Sequence, residues 1–308
     1  VINVEPWEWP EDYWRREVQR VRAGQRLQSQ WPDRARVAVA ISFDPDHETI
    51  PLRDGQRHPG KLSQGEYGAR VAVPRILALL ERYSCPATFF MPAVAALLHP
   101  HEPRLYVENG HEVGVHGWIH EKNTDLPADV ERSLIERSRS VLEQLTGVLP
   151  VGIRTPSWDF SPSTLDIVAD CGFEYDSSLM ADDECYLLRS NGIDTGVVEV
   201  PVEWIRDDAA YFLMDRYTAL RPYIRPRDVL EIWRDEFDAA YREGGLFQLT
   251  LHPHVIGHRS RLLILDELLR HIASHDGVWY ATHADVARAQ VKTSASPASE
   301  EATLQELA

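Results

Sequence analysis

The chain has 308 residues, 44% of them hydrophobic and 26% charged, which is enough apolar material for one large core and suits a single α/β barrel domain. A formal charge of -16 argues against a nucleic-acid backbone, an anionic membrane surface or a strongly acidic polymer as partner. No stretch approaches the run of roughly 20 apolar residues a membrane span needs, residues 1–10 lack the order of a signal peptide, and three cysteines without a CxxC spacing do not form a disulfide framework, so a cytoplasmic protein is expected.

Residues 1–34 are rich in Trp, Arg, Glu and Pro, with Trp7, Trp9, Trp14 and Trp31 spaced too irregularly for a strand. They read as an N-terminal arm whose indoles pack on the main domain or cover a neighbouring subunit. Val37-Ala38-Val39-Ala40-Ile41-Ser42-Phe43 is a continuous apolar run, the pattern of a strand buried on both faces of a parallel sheet. Asp44-Pro45-Asp46-His47-Glu48 follows at once. Three acids and a histidine at a strand's C-terminal end point to a site, although Asp and Pro also build turns. The polar stretch 50–65 carries Pro51, Gly55, Pro59, Gly60 and Gly65 and predicts a loop, a candidate lid.

Residues 66–83 carry a helical apolar stripe, and 87–91 read as a second strand bracketed by Pro86 and Pro92. A third strand, 111–115, delivers His116-Gly117-Trp118-Ile119-His120, whose two imidazoles would project from one side of a helical turn. A polar helix is predicted over 127–146 with Gly147 at its end. A short strand at 152–158 enters a Pro-containing turn with Arg154 and Trp158, and strands at 173–176 and 197–200 follow. Asp207 and Asp208 lie in the next loop and either are solvated, the favoured reading, or help shape the pocket. A helix over 227–242 precedes the strand 246–251, which ends in His252-Pro253-His254. A helix at 261–271, a strand at 278–280 and a helix at 283–289 complete the pattern. The expected organisation is an arm at 1–34, a catalytic domain at 35–291 and a disordered tail at 292–308. Alternating strands and helices predict a parallel α/β sheet closed as a barrel or nearly so, with Asp44, Asp46, His116, His120, Arg154 and His252 at strand exits.

Two neutral imidazoles and one carboxylate form a three-ligand set of the kind that holds a catalytic divalent cation, zinc first, with a position left open for water. A second carboxylate beside that water serves as general base and a protonated histidine as acid, roles open to Asp44 and His252, while Arg154 matches a carboxylate with its guanidinium fork. Trp158 offers an apolar wall, an oxyanion donor through its backbone N–H, or simple packing. His254 and His258 read as loop residues, His99, His101 and His111 as surface groups, and Cys171 and Cys185 as structural.

The stretches Ser42-Phe43-Asp44-Pro45-Asp46, His116-Gly117-Trp118-Ile119-His120, Arg154-Thr155-Pro156-Ser157-Trp158 and Leu251-His252 resemble, in order, the motifs of the polysaccharide deacetylase family (NodB-homology, carbohydrate esterase 4-like). The resemblance implies a distorted (β/α) barrel of about seven parallel strands. It implies Asp44 as base, Asp46, His116 and His120 as metal ligands, Arg154 as the partner of the base and His252 as acid. Pro45 separates aspartates that most members have adjacent, which leaves His47 and Glu48 as possible substitute ligands. The separated form, with Tyr67-Gly68-Ala69-Arg70, Tyr175-Asp176-Ser177-Ser178-Leu179-Met180, Pro201-Val202-Glu203-Trp204 and Gly257-His258-Arg259-Ser260-Arg261, resembles a cytoplasmic subset of peptidoglycan-deacetylase-like, allantoinase-like and cyclic-imide-hydrolase-like proteins. The expected activity is metal-dependent hydrolysis of a non-peptide C–N bond in a small N-acyl or cyclic amide or imide compound. The alternatives are deacetylation of an N-acetylated sugar or peptidoglycan, and a non-catalytic metal- or ligand-binding relative. The subset's habit and the Trp-rich arm imply a homo-oligomer.

Overall fold

A computed structural model describes residues 4–28, 30–213 and 224–294. Ten strands form its sheet: β1 (Val21–Arg26), β2 (Val37–Phe43), β3 (Ala87–Met91), β4 (Glu112–Val115), β5 (Gly152–Ile153), β6 (Tyr175–Asp176), β7 (Tyr186–Ser190), β8 (Ile193–Glu199), β9 (Leu246–Leu251) and β10 (Val278–Tyr280). The parallel part runs β9-β2-β3-β4-β5-β6-β8, and β10 pairs with the start of β2. This curled, mostly parallel α/β sheet is a barrel left partly open, the fold class that the alternating pattern predicts. A parallel bridge from Asp207 to Thr250 of β9 spans part of the opening after β8.

Every residue of β2, β3 and β9 is buried, so both faces need cover, and amphipathic helices supply it outside. From the helix Pro226–Glu243, Trp233 and Phe237 are wholly buried, and Phe237 meets Phe247 of β9 edge to face at 5.7 Å. The helix Ala128–Thr146 buries Ile135 and Leu142 and ends at Gly147 in the left-handed region, φ 77°, which glycine enters without a Cβ clash. The free N–H of Leu246 on β9 is satisfied by the Glu184 carboxylate, which fits only because Gly245 has no side chain: a Cβ there would lie 2.0 Å from Glu184 Oε1.

Three expectations are corrected. The arm contains the helix Glu11–Gln19 and β1, which pairs antiparallel with β7 despite its charged composition. Of its indoles, Trp31 is buried, donates to the Gly244 carbonyl at 3.1 Å and packs on Trp279, whereas Trp7 is largely exposed. The 50–65 stretch is mostly helical, forming Thr49–Arg53 and Pro59–Tyr67 with a short loop between them; Pro59 opens the second helix, a position its ring-fixed φ suits. The strand expected at 197–200 is longer and is the second arm of the β7–β8 hairpin. The last helix continues to Ser294, and the rest of the expected tail, 295–308, lies outside the described residues.

Gly152 on β5 marks the tightest approach in the sheet, since a Cβ there would fall 1.9 Å from Cζ of Tyr175. Tyr175 is itself buried and donates to Glu112 at 2.8 Å, so it has little freedom to yield. Gly152→Ala is expected to lower stability by about 1–3 kcal/mol in urea unfolding, the usual cost of overpacking. An unchanged midpoint would contradict the rigidity argued for Tyr175.

Candidate active site

Each parallel strand hands over a side chain as it leaves the sheet. Phe43 pairs with Leu251, so Asp44 after β2 and His252 after β9 stand abreast; Val115 pairs with Ile153, so His116 after β4 and Arg154 after β5 stand abreast, with β3 between the two pairs. All four are buried or nearly so.

Arg154 is fully buried and held from every side. Its Nε donates to Ser177 O at 2.9 Å, one terminal nitrogen donates to Ser42 Oγ and to Asp44 Oδ1 at 2.8 Å each, and the other donates to Ser177 Oγ at 2.9 Å. Phe90 lies under the guanidinium at 4.2 Å. Asp44 therefore has Oδ1 anchored, while Oδ2 lies 3.7 Å from His116 Nε2.

His116 donates from Nδ1 to the Arg154 carbonyl at 2.8 Å, which leaves the Nε2 lone pair directed at Asp46, 3.6 Å away. His120 Nε2 lies 3.7 Å from the other oxygen of Asp46. The 116–120 segment is not the helical turn its spacing suggested. Gly117 (φ 70°) and His120 (φ 63°) are left-handed, and the Glu121 carboxylate accepts from the N–H groups of Trp118 and Ile119 at 2.7–3.0 Å. A Cβ on Gly117 would also lie 2.8 Å from Pro156. Arg53 donates to the His120 carbonyl at 2.8 Å and approaches its Nδ1 at 3.2 Å. A cation held through Nε2 would put the His120 proton on Nδ1 and leave Arg53 only the carbonyl to donate to.

The donor atoms of Asp46, His116 and His120 lie within 4.8 Å of one another. Burial pushes Asp46 up to about 8, and the His116 imidazole down to about 4; His120 is lowered too, by burial first and by neighbouring His116. Asp46 Oδ1 has no hydrogen-bond partner among the described residues. A buried carboxylate short of partners beside two neutral imidazoles is the donor set of a divalent cation, so these residues fit one. His47 and Glu48 do not join them. His47 Nε2 pairs with Glu102 at 2.6 Å and Glu48 with His99 at 2.9 Å, both turned away from Asp46.

Asp208, expected to be solvated, is fully buried and accepts from the backbone N–H of His252 at 3.1 Å while lying 2.7 Å from its Nδ1. Asp207 caps the next short helix through the Ala209 N–H at 2.6 Å and sits 3.9 Å from His252. Burial alone would lower the His252 imidazole; Asp207, the bond to Asp208 and Asp46 overcome that and raise it well above its ordinary value. An Asp-Asp pair immediately before a helix was the only available signal, and the pairing with His252 spans 44 residues.

Among the described residues Asp44, Asp46, His116, His120, Asp207 and His252 line a cavity of about 180 Å³, whose apolar wall includes Ile50, Trp158, Trp204 and Leu213. Trp158 is a wall residue: its backbone N–H is taken by the Thr155 carbonyl at 3.0 Å, and its ring meets Trp204 at 4.1 Å. His254 also lines the cavity, whereas His258 stacks on Tyr67 at 4.1 Å.

A family model described as polysaccharide deacetylase matches residues 65–175, a stretch that includes His116, His120 and Arg154. The peptidoglycan deacetylase of Helicobacter pylori is 30% identical over 276 residues, covering 82% of this chain and 94% of that one. Among solved structures, a Mycobacterium smegmatis protein assigned as a polysaccharide deacetylase superposes with a TM-score of 0.80 at 33% identity, over 90% of this chain and 97% of its own. The PuuE allantoinase superposes with a TM-score of 0.76 at 27% identity, over 86% and 93%.

Proposed function

Because this chain belongs to the polysaccharide deacetylase family, whose members hydrolyse C–N bonds, we propose that it cleaves the amide bond of a small N-acyl or cyclic amide or imide compound. The observation that carries the choice of substrate size is the cavity of about 180 Å³, narrowed by Ile50 and by the Trp158–Trp204 pair. Ligand pockets for larger molecules run to about 300–1,000 Å³, and an oligosaccharide needs a groove. The likeness to PuuE allantoinase supports the same choice, whereas the Helicobacter pylori peptidoglycan deacetylase supports deacetylation of an N-acetylated sugar as the second reading.

Asp46, His116 and His120 would hold one divalent cation, zinc by the character of the donors. When bound, such a cation supplies positive charge that makes a nearby water more acidic and draws electron density from a carbonyl. Asp44 is the general base. Arg154 occupies Oδ1 and fixes the carboxylate, so Oδ2 faces the cavity to take the proton of the attacking water. His252 is the general acid: Asp208 occupies Nδ1, and the Nε2 proton goes to the departing nitrogen. Trp158 and Trp204 exclude water and position the acyl part of the substrate.

The reading is tested by kcat/KM for the zinc-loaded protein on five- and six-membered cyclic imides and ureides against N-acetylglucosamine oligomers. A preference for the oligomers would sink the small-substrate reading. The raised His252 imidazole keeps its proton to higher pH than an ordinary imidazole, so the loss of that proton sets the alkaline limb of the activity profile. Asp208→Asn removes a charge that supports that proton; kcat is expected to fall roughly 10²-fold and the alkaline limb to move to lower pH. An unmoved limb would remove Asp208 from the acid's control. A cytoplasmic homo-oligomer completes the proposal; the unpaired Cys85, Cys171 and Cys185 suit a reducing compartment, and sedimentation velocity measures the assembly.

A further inference from the structure

On the outer surface of the barrel, the helix Pro226–Glu243 and the helix Arg259–Ala273 pack together, and a second set of metal-type donors meets between them. Asp238 comes from the first helix, His271 from the last turn of the second, and His275 from just beyond its end. One ligand atom from each lies within 4.8 Å of the others. None of the three takes part in the chemistry at the barrel mouth.

The rings are held rather than loose. Phe237, buried beneath them, meets His271 edge-on at 5.7 Å and His275 at 5.1 Å, and Tyr241 meets His275 at 4.8 Å. The two imidazoles stand 4.8 Å apart and nearly perpendicular, at 73°. His275 donates from Nδ1 to the His271 carbonyl at 2.9 Å, which leaves the Nε2 lone pair as its free donor, 4.0 Å from Asp238 Oδ1. His271 Nε2 is 2.7 Å from the same oxygen. The carbonyl end of a helix adds a negative dipole beneath the cluster.

We propose that Asp238, His271 and His275 form a second divalent-cation site, for a borderline cation such as zinc, nickel or copper(II), that clamps these two helices together. Without a cation the cluster is satisfied differently. Arg234, which is exposed, donates to His271 Nδ1 at 3.2 Å, and the Nε2–H of that ring is given to Asp238. Binding moves the His271 proton from Nε2 to Nδ1 and releases Arg234 to solvent. Arg234 is therefore a competitor of the ion, and its removal strengthens binding, the opposite of its effect on a plain Asp–His ion pair.

The test is equilibrium dialysis of the full chain against zinc chloride, with bound metal counted per chain and thermal melts with and without zinc. Wild type is expected to take up one zinc more than His275→Ala, and Asp238→Asn, which preserves the contact to His271, to weaken that zinc about tenfold or more. Arg234→Ala should bind it more tightly, and zinc should raise the melting temperature of Arg234→Ala and wild type more than that of His275→Ala. His116→Ala removes the zinc of the barrel mouth alone and so separates the two sites. Equal zinc uptake by wild type and His275→Ala, or weaker binding by Arg234→Ala, overturns the proposal.

Discussion

Asp44→Asn is expected to cut kcat by about 10³-fold, within the range that a positioned acid or base contributes, while leaving bound zinc and the melting temperature close to wild type. The amide oxygen of asparagine still accepts from Arg154 in place of Oδ1, 2.8 Å away, so the buried guanidinium stays anchored by Ser42, Ser177 and the carbonyl that it already holds. What is lost is the other oxygen, which faces the cavity and would take the proton. Turnover within a few-fold of wild type, measured on any amide the protein cleaves, would give the base to another residue. Asp207 would be the first to examine, being buried, raised to about 6 by burial, and on the cavity wall.

His116→Ala and Asp46→Asn should each abolish both zinc at the barrel mouth and activity, a larger loss than the roughly 10–100-fold that follows removal of a supporting contact. Chelation of the wild type should do the same, with activity restored by added zinc; chelator-resistant turnover would sink the metal-dependent reading. Asp46→Asn also differs from the metal-free wild type in stability. With no cation, burial raises Asp46 from 3.8 to about 8, so the folded chain binds a proton there that the unfolded chain releases above about pH 4. The group's contribution is fully present below its unfolded value and is lost as pH rises through about 8. Metal-free wild type is therefore expected to lose stability between about pH 4 and 8 relative to Asp46→Asn, which has no titrating group at this position, and saturating zinc, which only the wild type holds there, should stabilise the wild type more than the variant. Parallel stability-pH curves for the two metal-free proteins would contradict the burial argument.

The strands that carry the site were readable because they are buried on both faces. β2 and β9 are predominantly apolar, broken only by Ser42 in the first and by Gln248 and Thr250 in the second, and such runs end where the chain meets solvent or a site, so Asp44 and His252 stand out one residue after each. Arg154 was visible as an arginine at the end of a short strand, and its partner followed from charge. Asp208 was not legible, because an acidic pair before a helix looks like a solvated cap; only the bridge from Asp207 to Thr250, a contact 43 positions along the chain, buries it against His252. The helices at Thr49–Arg53 and Pro59–Tyr67 were missed because glycine and proline weaken the local pattern. Tertiary contact holds them, with Thr49 Oγ1 donating to the Asp46 carbonyl at 2.6 Å and Gly65 pressed against the backbone of His47. β1 escaped because an edge strand buries too few side chains to alternate cleanly, and β7, paired on both sides, buries only Tyr186 and Leu188.

The register of the sheet divides the molecule into a part that cannot vary and a part that can. Asp44 and His252 sit side by side because Phe43 pairs with Leu251, and a one-residue slip in either strand would turn its reactive group to the opposite face. Ile50 and Trp204, in contrast, belong to short helical turns that follow β2 and β8 and are answerable to no ladder. Divergence of substrate choice, in nature or by engineering, is thus expected to run through insertions and exchanges in those two turns, with the proton-transfer pair carried along unchanged.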